Sequence, residues 1–240
     1  MLGDARELRH DQRAQELLIV DCLRDLVDAS IGNAMSFGNF RPGAPTYLKA
    51  HTPGTIEDPV VTRFVSQWGK TSQFSDDPMM HLMWNKTGPV STIVRSNEMT
   101  HEYLQGFRVY EEVIEPAGLL DGMATFFRYP GSDSIRAYAF HRKTGQKDFG
   151  AYEHRLAALF IDELYKLYLD GSLEPVGLLD TLPPRLTRIA REMATGKSQR
   201  QIALNLNLSY HTVRSYSKEL YDTAGVSSRE ALVAKLMKRS

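Results

Sequence analysis

A run of helix-end signals packed into the last sixty or so residues constrains this chain most. Pro184 to Thr195 has helical spacing with Ile189 and Met193 facing inward, and Gly196 closes it. Ser198-Gln199-Arg200-Gln201 fits the S-x-x-Q capping box, in which hydroxyl and amide satisfy each other's backbone N–H groups. The helix it opens carries Ile202, Ala203 and Leu206 on one face and ends at Asn207, a residue that tolerates the left-handed conformation. Ser209 caps the next helix and Gly225 ends it. Between them Val213, Ser217, Leu220 and Ala224 form a semi-apolar face, with Arg214, Ser215, Lys218 and Tyr221 on the other side. Ser227-x-x-Glu230 forms another capping box, opening a fourth helix through Leu232, Val233 and Leu236.

A short helix, a tight turn and a second capped helix make a helix-turn-helix. Taken alone, 209–225 is an ordinary amphipathic surface helix. With its neighbours, its polar, cationic and short-chained face suits a DNA major groove. Residues 182–234 resemble the LuxR-type (NarL/FixJ-like) helix-turn-helix domain. The matching positions are Leu182, Pro184-Arg185, Gly196, Ser198, Ile202-Ala203, Leu206, Ser209, Thr212-Val213-Arg214, Gly225-Val226, Arg229 and Val233. Leu186 stands where that family usually has Glu, Tyr216-Ser217 where it has His-Leu, and Thr223-Ala224 where it has Lys-Leu. These departures are expected to weaken packing near the second helix while leaving its cations in place.

The chain's net charge of zero hides a segregation. Residues 182–240 hold 11 Lys and Arg against 4 Asp and Glu, a balance of +7, and the rest of the chain balances at −7. Chance segregation on solvated surfaces is the plain explanation. Coinciding with a helix-turn-helix, a basic module on an acidic remainder points to a nucleic-acid reader attached to a domain that does not read.

In the rest of the 240-residue chain, 5–29 reads as one long amphipathic helix with Leu8, Leu17, Leu18, Val20, Leu23, Leu26 and Val27 among its apolar positions. It is a core helix by default, with pairing to a second copy as the alternative. MSFGNF (35–40) and TYLKAH (46–51) read as strands around a proline-rich turn, 59–68 as helix and MMHLMW (79–84) as a helical turn. VSTIVRS (90–96) reads as a strand and 99–115 as a helix. MATFFRY (123–129) and IRAYAFHR (135–142) alternate around Pro130-Gly131-Ser132-Asp133, a hairpin. Tyr152 to Leu169 reads as a closing helix with Leu156, Leu159, Phe160, Leu164 and Leu167 inward, and 171–181 as a linker.

This order predicts an α+β fold: residues 1–170 as an antiparallel sheet with helices, a GAF/PAS-like sensor, followed by an all-α helix-turn-helix domain over 182–240. Asp77-Pro78, Tyr110-Glu111, Pro116, Gly118, Arg142, Phe149 and Tyr152-Glu153 resemble GAF-like domains fused to LuxR-type modules, with Asp162-Glu163-Leu164 replacing the group's usual Pro-His-Leu. That resemblance implies a sensor and names no ligand. Acyl-homoserine-lactone receptors share the length and domain order, but Trp68, Asp77 and Trp84 do not have their spacing. A phosphorylation receiver lacks its acidic pair, phosphoacceptor and Lys.

Other classes fare poorly. No apolar run approaches a transmembrane helix, and the N-terminus shows no secretory pattern, so a cytoplasmic protein without a membrane partner is expected. Cys22 is the single cysteine and reads as a core thiol, with redox sensing as the sharper alternative. His51, His81, His101, His141 and His154 show no compact metal-ligand spacing, and no phosphate loop or nucleophile motif is present; neither enzyme activity nor a cofactor is expected. Met79, Met83 and Trp84 with His81 read as core first and as an adaptable ligand pocket second.

The expected function is therefore a transcription regulator on double-stranded DNA, with a small-molecule or protein signal at the N-terminal domain. Arg214 is the candidate for a bidentate guanine contact and Lys218 for a second base or phosphate contact. The family resemblance implies Ser215 as the close-approach position. Ser198, Gln199, Tyr210 and Thr212 are phosphate candidates, with Lys197 and Arg200 as further backbone contacts or else solvated charges. Such domains usually dimerise through the fourth helix, which makes Leu232, Val233 and Leu236 the expected homodimer contacts. The alternative is a ligand-binding or interaction module, including a quorum-sensing receptor of the lactone type, whose helix-turn-helix binds DNA weakly or not at all.

Overall fold

A computed structural model describes residues 12–38, 40–41, 47–51, 77–131, 133–173, 182 and 184–237. The chain divides into two compact units, residues 1–35 with 50–174 and residues 36–49 with 175–240. The helix expected at 59–68 and most of the expected linker lie outside the described residues.

Helix α1 (Gln12–Leu26) buries Ile19, Val20 and Leu23, with Val27 just beyond its end, all at helical spacing. Asp28 in the left-handed region (φ 49°) turns the chain out of it. The expected start of this helix, 5–11, lies outside the described residues. Strands β1 (Ile31–Gly38) and β2 (Tyr47–His51) come next, β1 beginning four residues before the expected MSFGNF run. Beyond them lie α2 (Pro78–Asn85), β3 (Val90–Val94), α3 (Arg95–Glu98) and α4 (His101–Leu104). A π-helical turn (Tyr110–Ile114), β4 (Leu119–Arg128), β5 (Ile135–Lys143) and α5 (Ala151–Leu169) complete the unit.

The strands form one sheet in the order β2-β1-β5-β4-β3. β3, β4 and β5 are antiparallel neighbours, and the expected hairpin pairs Met123 with Phe140 and Phe127 with Arg136. Period-two alternation then sends Met123, Phe127, Tyr138 and Phe140 to one face, into a core with α1 and α5. From α5 that core takes Ala157, Phe160, Ile161, Leu164 and Leu167. Leu159, expected inward, is 67% exposed. It lies two residues from both Ala157 and Ile161, about 200° round the helix, so burying that pair turns it out.

Two further expectations are corrected. The strand expected to run to residue 96 stops at Val94, because Asp121 accepts from the Ser96 N–H (3.1 Å) and hydroxyl (2.8 Å) and pulls the chain into α3. The helix expected over 99–115 is interrupted after α4, where Gly106 and Phe107 separate it from the π-helical turn.

The C-terminal part of the second unit, 184–237, is helical: α6 (Pro184–Ala194), α7 (Gln199–Leu206), α8 (Tyr210–Ala224) and α9 (Arg229–Met237). The cap chemistry fixes its corners. Ser198 accepts from the Gln201 N–H while Gln201 returns the bond to the Ser198 N–H (2.8 Å). Asn207 is left-handed (φ 53°), Ser209 accepts from the Thr212 N–H (3.0 Å), and Gly225 is left-handed (φ 63°). At the last corner the cap is Ser228 rather than Ser227: its hydroxyl accepts from the Ala231 N–H, three residues on (3.1 Å). Leu186, Ile189, Met193, Ile202, Val213, Leu220 and Leu232 meet in a separate core.

Candidate nucleic-acid interface

Helix α8 is about 22 Å long at 1.5 Å per residue. Its inward face, Val213, Ser217, Leu220 and Ala224, is fully buried. The departures from the family pattern fall on this inner side and are packed. Leu186 is 0% exposed in the core, and the Ser217 hydroxyl donates to the Val213 carbonyl (2.7 Å). Tyr216 packs against the same core beneath the Arg185 guanidinium, 5.6 Å from the ring centre. The expected loss of packing near α8 is therefore made good by an extra aliphatic side chain and a cation–π contact.

The outward face carries the expected readers. Arg214, Ser215 and Lys218 are exposed, and Arg214 and Lys218 sit one turn apart without an ion pair among the described residues. Arg188, Arg191 and Arg200 are exposed as well, whereas four other cations of the unit are tied to structural acceptors. Arg185 pairs with Glu219 (2.6 Å) and Lys197 with Glu192 (2.9 Å). Arg229 donates to the Met193 carbonyl (2.7 Å) and Lys235 to the Ala224 carbonyl (2.8 Å), closing the ends of α6 and α8. The Lys197 bond, with a second one from Asn205, holds the Glu192 carboxyl below its usual range.

Beside this face lies an open hollow of about 530 Å³ lined by Met193, Ser198, Gln199, Arg200, Tyr210, Tyr221 and Arg229. Ser198, Gln199, Arg200 and Tyr210, expected separately as phosphate contacts, are thus brought to one place. Thr212 is half-buried, with its hydroxyl against Ser209 (2.8 Å), so it faces the cap more than the hollow. Arg229 was not expected there, whereas Tyr221 was expected on this outward face of α8 without a role. Tyr221 follows Tyr210 by eleven residues, three helical turns, which sets the two on the same side of α8. Leu232 is fully buried, which removes it as a dimer contact; Val233 and Leu236 are half-buried.

In the N-terminal unit the suggested pocket residues all lie on or beside α2 and differ in exposure. Met83 is buried, Met79 and Trp84 are half-buried, and His81, expected in core or pocket, is exposed and stacks on Trp84 (5.3 Å between ring centres). The residues that resemble GAF-like domains serve as scaffold. Asp77 caps α2 by accepting from the Met79 N–H (2.8 Å). Buried Arg142 donates to the carbonyls of Val27 (2.9 Å), Asp28 (3.1 Å), Lys147 (3.0 Å) and Asp148 (3.0 Å), and to the Glu153 carboxylate (3.1 Å). Its guanidinium lies 4.4 Å from the Phe149 ring centre. Burial alone would raise the Glu153 carboxyl, but the Glu153 and Gly150 N–H groups and Arg142 outweigh it and hold it below its usual range. Two buried ionic contacts escaped the sequence reading: Glu16 of α1 with Arg136 of β5, and Asp121 of β4 with Arg95 (3.9 Å). His141 keeps part of its surface exposed, yet its Nδ1 is sealed; desolvation and the neighbouring Arg95 push it down to about 3.

Among the described residues no group of three or more His, Cys, Asp and Glu is placed to hold a metal, and no helix is long and apolar enough to cross a membrane. No curated protein matches the chain. Among solved structures, SdiA in complex with octanoyl-rac-glycerol is similar over 94% of this chain and 87% of its own, at 14% identity and a TM-score of 0.51. Escherichia coli SdiA in a second crystal form is similar over 95% and 91%, at 13% identity and a TM-score of 0.48. The VqsR LBD domain from Pseudomonas aeruginosa is similar over 71% and 90%, at 13% identity and a TM-score of 0.46. The first likeness shows a shared fold. Residues 180–236 match the family described as bacterial regulatory proteins, luxR family. Together with the cap geometry, that match makes the C-terminal unit a LuxR-family helix-turn-helix domain.

Proposed function

We propose that this protein is a non-enzymatic transcription regulator that reads DNA with α8 and takes a signal at its N-terminal unit. The observation that carries the reading is the sorting of cations. Arg214 and Lys218 stay exposed on the outer face of α8 and Arg200 stays exposed beside the hollow, while Arg185, Lys197, Arg229 and Lys235 close helix ends or pair with carboxylates. In this arrangement the N-terminal part of α8 enters the major groove, Arg214 spans the O6 and N7 of a guanine, and Ser215 allows close approach. Lys218 takes a second base or a phosphate. The sugar–phosphate backbone lies along the hollow, against Ser198, Gln199, Arg200 and Tyr210, with Thr212 contributing through the cap. Residues 1–170 act as the sensor, 171–181 as linker and 182–240 as the reader.

For the signal, the N-terminal unit offers an apolar sheet face. Away from α1 and α5, the β4–β5 register sets Ala124 beside Ala139 and Phe126 beside Ala137. Ala124, Phe126 and Ala137 are buried. An apolar sheet face of this kind suits an apolar ligand. SdiA, similar in fold, has been solved with octanoyl-rac-glycerol. On that likeness, a small amphiphile with an acyl chain is the ligand class we propose for this unit.

The reading is tested by selection from a random duplex library with the whole protein and with residues 176–240, whose separate core supports folding alone. Enrichment of a two-fold symmetric motif by both establishes an operator reader. Enrichment by the C-terminal piece alone shows that the sensor holds the reader off without its signal. No enrichment by either excludes site-specific reading.

A further inference from the structure

Six of the chain's seven histidines precede residue 155, so His211 stands alone in the helix-turn-helix domain. It lies exposed in the first turn of α8, two residues past the Ser209 cap that fixes this turn through the Thr212 N–H (3.0 Å). His211, Arg214, Ser215 and Lys218 follow at i, i+3, i+4 and i+7, so one stripe of α8 carries all four. Along the helix axis His211 stands about 4.5 Å from Arg214. Successive base pairs are roughly 3.4 Å apart, so the two side chains reach neighbouring pairs.

The surroundings of the ring hold no free negative charge. From Met193 to Lys218 the chain has no carboxylate, a stretch that spans α7, the turn and the N-terminal part of α8. Glu192, just before it, is held by Lys197 and Asn205 (both 2.9 Å), and Glu219, just after it, by Arg185 (2.6 Å). Among the described residues the imidazole makes one ring contact, with Tyr210 at 6.0 Å, and no hydrogen bond or ion pair. The next cation along α8 is Arg214. A proton on this ring therefore finds its acceptor on DNA.

A histidine changes charge between about pH 5 and 8. Neutral, its ring offers one donor and one acceptor; protonated, it offers two donors. In the major groove guanine presents O6 where adenine presents an amino donor, and cytosine presents an amino donor as well. A protonated ring suits guanine O6 and is opposed by those amino groups; a neutral ring accepts from them.

We propose that His211 is a specificity-determining residue, which reads the base pair beside that of Arg214 and selects guanine, through O6, when its ring is protonated. Binding then takes up a proton, and the reader holds its site more tightly as pH falls. The inference rests on α8 being the reading helix and adds one pH-dependent position to the sequence it reads.

The test is selection from a random duplex library at pH 6 and pH 8, then fluorescence anisotropy on the recovered duplex at one salt concentration. It uses the full chain and, in parallel, residues 176–240, in which His211 is the only histidine. Wild type is expected to bind about three- to tenfold more tightly at pH 6, with guanine enriched beside the Arg214 guanine. His211→Lys, charged at both values, keeps that guanine and loses the pH dependence. His211→Asn loses the pH dependence and moves the preference to adenine, whose N6 and N7 match an amide. Both variants keep the guanine assigned to Arg214. A base preference unchanged in His211→Asn, or a pH dependence shared by His211→Lys, overturns the inference. So does equal weakening of His211→Asn on every sequence, which marks a phosphate contact. These results leave the Arg214 position in place, whereas no motif with wild type overturns the α8 reading and this inference together.

Discussion

The two units hold themselves together by different means. In the C-terminal unit each corner is a local device: a hydroxyl three residues from its N–H donor, or a left-handed Asn or Gly at a helix end. In the N-terminal unit the decisive contacts join residues far apart in sequence, such as Arg142 with Val27, more than a hundred positions away. Local devices fail one at a time and cheaply. A hub that satisfies four carbonyls and a carboxylate from different segments fails all at once.

The largest expected effect follows. Arg142→Ala removes a donor from four carbonyls and the Glu153 carboxylate and is expected to destabilise the N-terminal unit by about 3–5 kcal/mol. Both tryptophans precede residue 170, so their fluorescence in a denaturant titration reports that unit alone. A midpoint unchanged from wild type would contradict the hub.

A pH effect comes next. His141 is held neutral down to about 3 in the folded state, while the unfolded chain takes up a proton near 6.5. Between those values the unfolded state binds more protons, so stability falls as pH falls. The slope is about 1.4 kcal/mol per pH unit at most. Glu153, whose carboxyl is held low, adds a loss as pH drops through its folded-state value. His141→Gln is expected to flatten the upper part of the profile; an unchanged slope between pH 6.5 and 5 would remove His141 as its source.

Among the local devices, Ser198→Ala is expected to cost about 1 kcal/mol in the C-terminal unit, read by the helical circular dichroism of residues 176–240. Loss of that piece's fold would show its caps to be as interdependent as the Arg142 hub. The smallest effect separates two cations expected alike as phosphate contacts. Arg200→Ala should reduce the salt slope of DNA binding by about one. Lys197→Ala should barely change it, because Glu192 already holds that ammonium; equal slopes for the two variants would refute this distinction.

The same contrast explains what was legible in the sequence. Ser198, Asn207, Ser209 and Gly225 act within a turn of their own positions, so their spacing was enough to place α7 and α8 and the outward Arg214 and Lys218. The last cap slipped by one residue because Ser227 and Ser228 are adjacent and only the backbone conformation selects between them. The β4–β5 hairpin was legible from alternation across a turn. Arg142, Phe149 and Glu153 stood out only through a resemblance that carries no reason, because the partners of Arg142 come from the turn after α1 and from the 147–148 segment. Leu159 was misplaced because a helix with apolar residues on both sides does not announce which side is buried. Leu232 was misread because an apolar residue of a terminal helix serves a core or a partner equally well until its neighbours are known.

The most direct measurement uses a duplex recovered by selection in which each guanine in turn is replaced by 7-deazaguanine, removing the N7 acceptor. Binding of wild type and Arg214→Ala would be followed by fluorescence anisotropy at one fixed salt concentration. One guanine in each half-site is predicted to weaken wild-type binding by roughly 1–3 kcal/mol while leaving Arg214→Ala unaffected. If no guanine matters, or if the same guanine matters equally to both proteins, Arg214 does not read the base.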